Sequence, residues 1–122
     1  MPKKVMILED DEATAELIKF YLQEEGFQVA VAARGNGFMA RVVEYQPDLI
    51  TLDVLLPDAD GFNIFKELQE NTHTRTIPVI FITVKDGEKE KGITMGASGY
   101  IIKPFNEQEL KGTIKSIIDV EE

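Results

Sequence analysis

The sequence predicts an α/β protein, a single doubly wound domain with five strands and five helices around a parallel sheet. Three observations point to it. Short apolar, β-branched runs of strand length alternate with stretches of helical period, and that alternation implies parallel strands joined by right-handed crossovers. Several of those runs are nearly continuous in apolar residues, as strands covered on both faces must be. The 122 residues, 43% hydrophobic and 29% charged, suit one globular core, and no repeat or linker divides them, so residues 1–122 are expected to form one domain.

In chain order, Lys4 to Leu8 is a buried-type strand ending in Glu9-Asp10-Asp11-Glu12. A helix follows with Leu17, Ile18, Tyr21 and Leu22 on one face, and Gly26 is placed to end it. Phe27 to Ala32 is the second strand. Asn36 to Tyr45 is the second helix, its stripe made by Phe38, Met39, Val42 and Val43, with Pro47 stopping it. The third strand opens at Leu49. Gly61 to Glu70 is the third helix, with Phe62, Phe65 and Leu68 inward.

Ile77 to Thr83 is the fourth strand. Asp86 to Gly96 is expected to be the weakest helix, because Gly87, Gly92 and Thr94 each lower its propensity. Gly99 to Lys103 is the fifth strand, and Pro104 turns the chain. Asn106 then caps a last helix whose Leu110, Ile114, Ile117 and Ile118 face the core.

Composition excludes several functions. The formal charge of −9 repels phosphate backbones and anionic lipid, so direct binding of nucleic acid is not expected. The absence of cysteine removes disulfides, thiolate metal sites and cysteine nucleophiles, which fits a reducing compartment. No run approaches the roughly 18 apolar residues that span a bilayer, and Met1-Pro-Lys-Lys-Val leads straight into a strand, so a cytoplasmic location is the expectation.

The stretch Leu49-Ile-Thr-Leu-Asp-Val-Leu-Leu-Pro-Asp-Ala-Asp-Gly61 organises the rest. It delivers Asp53 at the carboxyl end of a strand, the edge at which ligands bind in open α/β sheets. Taken alone, Asp53 could equally cap the following turn. Glu9 and Asp10 end the first strand, Thr83 the fourth and Lys103 the fifth, so all five point to one edge. In the order 2-1-3-4-5 the first and third strands are neighbours, and three carboxylates share one crevice. Two charges about 5 Å apart repel by roughly 3 kcal/mol at an effective dielectric near 20, so a cation is required, and oxygen-only donors favour Mg2+. A nucleophilic aspartate, a metal and a lysine are what phosphoryl transfer onto a carboxylate needs.

Glu9-Asp10, Asp53-x-x-x-Pro57-x-x-x-Gly61, Thr83 and Tyr100-x-x-Lys103-Pro104-Phe105 together resemble the receiver domain of bacterial two-component response regulators, from about Lys4 to Asp119. The resemblance implies a flavodoxin-like fold and Asp53 as the phosphoacceptor. The donor would be a sensor histidine kinase or phosphotransfer protein. It implies Mg2+ held by Asp10, Asp53 and the Leu55 carbonyl, with Glu9 acting through water, and a cis Lys103-Pro104 bond. Thr83 and Tyr100 would form the switch pair, Thr83 moving toward the phosphoryl group and the Tyr100 ring turning inward. Their change would be read on the surface of the fourth helix, fifth strand and fifth helix by a downstream protein or an effector domain. Such a domain assists its own phosphorylation and dephosphorylation without being an enzyme for another substrate.

The chain departs from the family pattern at Val84, where a small residue is usual, and at Ser98-Gly99 and Thr113, where many winged-helix regulators carry an acidic pair and an arginine for a symmetric dimer. A monomer, or a weak dimer formed on activation, is therefore expected. A haloacid-dehalogenase-type phosphatase would place a second aspartate where Leu55 stands. A flavin carrier would need a Ser/Thr/Gly-rich phosphate loop where the acidic run stands. Leu56 to Glu67 fits a calcium loop only in part, since Leu56 would be its first ligand. His73 reads as a solvated loop residue, and Asp119 to Glu122 as a solvated terminus.

Overall fold

The structure, a computed structural model, describes residues 2–118. The apolar runs form β1 (Lys4–Leu8), β2 (Gln28–Ala32), β3 (Leu49–Leu52), β4 (Val79–Thr83) and β5 (Gly99–Ile102). Between and after them lie α1 (Glu12–Glu24), α2 (Phe38–Tyr45), α3 (Gly61–Glu70), α4 (Lys89–Met95) and α5 (Glu107–Lys115). All strand pairs are parallel and the order is β2-β1-β3-β4-β5, so the expected topology is the observed one.

Side-chain alternation along the strands divides the interior into two layers. Met6, Leu8, Ile50, Leu52 and Phe81 pack against Phe38, Val42, Phe62, Phe65 and Leu68 on the side of α2 and α3. Val5, Ile7, Leu49, Ile80, Ile82 and Ile101 pack against Ile18, Leu22, Leu110 and Ile114 of α1 and α5. Burial of both faces explains why β1, β3 and β4 are nearly continuous in apolar residues.

The register then places the polar residues. Leu8 pairs with Leu52, so the next residues, Glu9 and Asp53, emerge side by side, and the Asp53 N–H donates to the Leu8 carbonyl at 3.1 Å. Thr83 pairs with Ile102, which brings Lys103 level with the same edge, its N–H donating to the Thr83 carbonyl at 2.8 Å.

Several boundaries differ from the sequence reading. Phe27 is buried but stands outside β2, because its N–H closes the end of α1 on the Leu22 carbonyl. The second helix starts at Phe38, two residues later than expected, because Gly37 takes a left-handed φ of 78°. The fourth strand starts at Val79, since Pro78 has no N–H and the Ile77 N–H turns back to Thr74. The fifth strand stops at Ile102, next to Lys103-Pro104. Asp86–Glu88 form a 3-10 turn ahead of a seven-residue α4, so the weakest segment is shorter than the expected helix.

Leu17 is 42% exposed and does not belong to the core face of α1. Successive helical residues are 100° apart, and Ala15, Ile18 and Leu22 take the inward stripe. Val43 on α2 faces out for the same reason, while Phe38 and Val42 are buried. The predicted caps hold: Gly26 follows α1 with a φ of 97°, and the Asn106 side chain accepts from the Glu109 N–H at 2.7 Å. The segment Asp119–Glu122 lies outside the described residues.

Candidate functional site

The edge of the sheet gathers Glu9, Asp10, Asp53, Thr83 and Lys103 as expected. Asp53 is only 5% exposed; its Oδ1 accepts from the Leu55 N–H at 3.1 Å and its Oδ2 from Lys103 Nζ at 2.9 Å. Lys103 does not contact Asp53 alone. Its Nζ also lies 2.7 Å from Glu9 Oε1, so one ammonium bridges both buried acids. The cause is the parallel register, which sets Glu9 and Asp53 next to each other under the reach of a lysine side chain.

The second oxygen of Glu9, Oε2, accepts from the Asp11 N–H at 3.1 Å. Burial, only partly offset by the Lys103 and Asp11 hydrogen bonds, holds the Glu9 carboxyl above its usual range. Burial alone would lower the pKa of Lys103, but the hydrogen bonds it donates to Glu9 and Asp53 outweigh it and the ammonium is stabilised.

Oxygens of Glu9, Asp10 and Asp53 come within 4.8 Å of one another, with Asp10 exposed. Three carboxylates facing one ammonium leave excess negative charge, and hard oxygen donors with water access fit Mg2+. Both oxygens of Glu9 and both of Asp53 already have partners, and of the three carboxylates only Asp10 is exposed to water.

The loop after β3 is fixed by several bonds. Leu55 bridges to Asp60, and Asp60 caps α3 by accepting from the Phe62 N–H at 2.8 Å. Asp58, which sequence reasoning noticed only as part of a calcium-like pattern, accepts from the N–H groups of Gly35 and Asn36, each at 2.8 Å. Those bonds hold its carboxyl below the usual range and tie this loop to the start of α2. Gly61 meets the turn so closely that a Cβ there would lie 2.1 Å from the Asp53 carbonyl oxygen.

Thr83 is fully buried, and its hydroxyl oxygen accepts from the Lys85 N–H at 3.3 Å. Tyr100 is already inside: its ring is 7% exposed, 5.7 Å from that of Phe81, and its hydroxyl donates to the Lys85 carbonyl. Burial first, then the charges of Glu88, Asp53 and Asp86, push the Tyr100 hydroxyl up to about 12, so it remains a donor at neutral pH. The Lys103-Pro104 peptide is cis. Val84 is 60% exposed and lines, with Thr14, Leu17, Lys103, Pro104 and Phe105, a groove of about 330 Å³ beside the crevice. His73 is exposed in its loop. Among the described residues, no helix is long and apolar enough to cross a membrane.

The family model of the response regulator receiver domain matches residues 5–115. The phosphate regulon transcriptional regulatory protein PhoB of Rhizobium meliloti (strain 1021) is 34% identical over 120 residues, which are 97% of this chain and 53% of that protein. The chain thus spans about half the length of this curated relative. Among solved structures, one from Chloroflexus aurantiacus J-10-fl superposes with a TM-score of 0.90 at 33% identity, covering 96% of this chain and 98% of the other. The beryllofluoride-activated N-terminal receiver domain of Klebsiella pneumoniae RstA superposes with a TM-score of 0.85 at 28% identity, over 93% of this chain and 97% of its own.

Proposed function

The chain belongs to the response regulator receiver family, and from that membership we propose that it is a signalling switch in which Asp53 accepts a phosphoryl group from a histidine kinase or phosphotransfer protein. The observation that carries this reading is the set of three clustered carboxylates with Lys103 bonded to Asp53. A receiver domain is a phosphoacceptor module rather than an enzyme with a separate substrate. We take residues 1–122 as one such domain, working in the cytoplasm.

In the proposed reaction an Asp53 oxygen forms a bond to phosphorus as the nitrogen–phosphorus bond of the donor histidine breaks, and the nitrogen keeps the electron pair. Hydrolysis reverses the roles: water attacks phosphorus and the Asp53 oxygen leaves. Lys103, held by Glu9 and Asp53, would give positive charge to the transferring group, and the Thr83 hydroxyl would donate to it. Asp10, Asp53 and the Leu55 carbonyl would hold Mg2+, with Glu9 acting through water, and the ion would neutralise charge on the phosphoryl oxygens. Pro57 and Gly61 shape the turn, and Pro104 sets the course of the chain beyond Lys103.

The Thr83–Tyr100 pair would pass the change to the face of α4, β5 and α5, where a downstream protein or an effector domain would read it. Phosphorylation adds about −1.5 to −2 charge, ample to redistribute these contacts. Gly99 and Thr113 pack together, a Cβ at 99 falling 3.1 Å from Thr113 Cγ2, so these positions offer no charged pair for a dimer. The protein should be a monomer, or a weak dimer on activation. Incubation with a small-molecule phosphodonor and Mg2+ should add a single phosphoryl group by intact mass, and a chelator should prevent it. Chelator-insensitive labelling would remove the metal from this account.

In this account Val84 would limit the rates. Its β-branched side chain is 60% exposed and lines the groove beside Lys103, and in this reading it crowds the approach of both the donor and the hydrolytic water. Val84→Ala should raise phosphorylation by a small donor and autodephosphorylation by about threefold to tenfold, with Mg2+ affinity unchanged. Equal or slower autodephosphorylation in the variant would show that Val84 is no gate.

A further inference from the structure

We propose that Gly92 is a positioning residue for Tyr100: the missing side chain at 92 is the seat that receives the ring in its inward position. The inference rests on the reading of Tyr100 as the switch residue and adds what makes room for its inward position. Gly92 is the one buried residue of α4. A Cβ on it would lie 3.0 Å from Tyr100 Cδ2, 3.2 Å from Cε2 and 3.4 Å from Phe81 Cδ2. The first two distances are shorter than ordinary carbon–carbon contact, so the ring or the helix must give way.

Neither the helix nor the inward ring has an easy way to yield. The C-terminal end of α4 is held by Gln69, whose Nε2 donates to the Met95 carbonyl at 2.6 Å. Next to Gly92, the Lys91 ammonium sits 4.4 Å above the Phe62 ring and tethers the helix to α3. The ring has Phe81 on one side and its hydroxyl fastened to Lys85, so moving it loosens that bond. An alanine therefore favours the outward ring, and with it release of the Lys85–Glu88 segment, where α4 has no side-chain cap. Glycine in a helix lowers stability, and here the steric seat explains its place.

Gly87 provides the control, because a Cβ there meets nothing within 4 Å. Both variants add the same methyl group, but only Gly92→Ala crowds the ring. The full chain is labelled with 3-fluorotyrosine and the Tyr100 resonance, assigned with Tyr100→Phe, is followed by fluorine NMR without and then with beryllofluoride and Mg2+. In the resting protein Gly92→Ala should lower the inward population by about threefold to tenfold, and hydrogen exchange at residues 85–88 should rise by a similar factor. Gly87→Ala should keep the parent resonance.

A double-mutant cycle guards against a variant that folds poorly: any stability loss caused by Gly92→Ala should disappear in a Tyr100→Leu background, where no ring opposes the methyl. An unshifted Tyr100 resonance in Gly92→Ala, an equal shift in Gly87→Ala, or a stability loss that persists without the ring would each overturn the proposal. The resting-state measurement needs no phosphoryl group. If beryllofluoride with Mg2+ fails to raise the inward population of Gly92→Ala while the shift without it is present, the switch reading falls and the seat stands.

Discussion

Asp53→Asn should carry no phosphoryl group after incubation with a phosphodonor and Mg2+, under conditions that label every parent chain once. The amide is close in size to the carboxylate, and its oxygen can still accept from the Leu55 N–H. Lys103 keeps Glu9 as a partner, so the ion pair is reduced and not abolished. Loss of one of three clustered carboxylates relieves repulsion, which offsets the lost bond to Lys103. The melting temperature should therefore move by only a few degrees, about 1 kcal/mol or less. What disappears is the nucleophile, since an amide nitrogen or oxygen does not replace a carboxylate in attack on phosphorus. Intact mass and peptide mapping decide the matter. Undiminished labelling of Asp53→Asn, or labelling that maps to Asp10 in the parent, would remove Asp53 from its assigned role.

The fold was legible because its cause is repetitive. Apolar runs such as Val79–Thr83 can be covered on both faces only in a parallel sheet with helices on each side, and the crossover rule leaves few topologies. The gathering of Glu9, Asp10, Asp53, Thr83 and Lys103 followed from the same rule, because each stands where a strand ends. The partners of Lys103 were not legible. Whether it bonds to Asp53 alone or also to Glu9 depends on side-chain reach across two register pairs, which no linear pattern encodes.

Leu17 misled for a different reason. Hydrophobicity marks a residue as able to be buried, and the helix has room for only one inward stripe, which Ala15, Ile18 and Leu22 fill. Asp58 was visible as an acid and invisible as a clamp, because its donors are N–H groups 22 and 23 residues earlier. Gly92 was read as a weak point of α4. Its role lies in the Tyr100 ring on another element, and composition within a helix says nothing of what approaches from outside. The Tyr100 ring was expected to turn inward on activation, yet it is inside in this structure, and fluorine NMR of the unphosphorylated protein will show how far that conformer dominates.

Gly61→Ala should be the most destabilising single methyl addition near the site. The added carbon would fall 2.1 Å from the Asp53 carbonyl oxygen, 2.8 Å from Val54 Cα and 2.9 Å from the Asp53 carbonyl carbon. All three are backbone atoms, so no side chain can rotate away. Ordinary contact lies near 3.5 Å, and relief requires a backbone shift of about 1 Å or more. The first turn of α3 is held in place by the Gly61 N–H donating to the Val54 carbonyl at 2.8 Å and by the Asp60 cap. The strand side is held by the Asp53 N–H bond to Leu8, so the shift breaks one anchor or the other. A cost of about 3–5 kcal/mol follows from forced overpacking, or roughly 12–20 °C in melting temperature for a domain of this size. Function should suffer further than stability, because an Asp53 moved by about 1 Å loses roughly a hundredfold in phosphorylation rate even in chains that remain folded. Gly112→Ala in α5, where a Cβ meets nothing within 4 Å, is the matched control and should be neutral or stabilising by about 0.5–1 kcal/mol. Thermal melting and initial rates of labelling at a temperature where both variants are folded separate the two effects. A Gly61→Ala protein that melts within two or three degrees of the parent and labels at its rate would show that the turn after Asp53 has slack, and that glycine there is not demanded by the approach of the backbone.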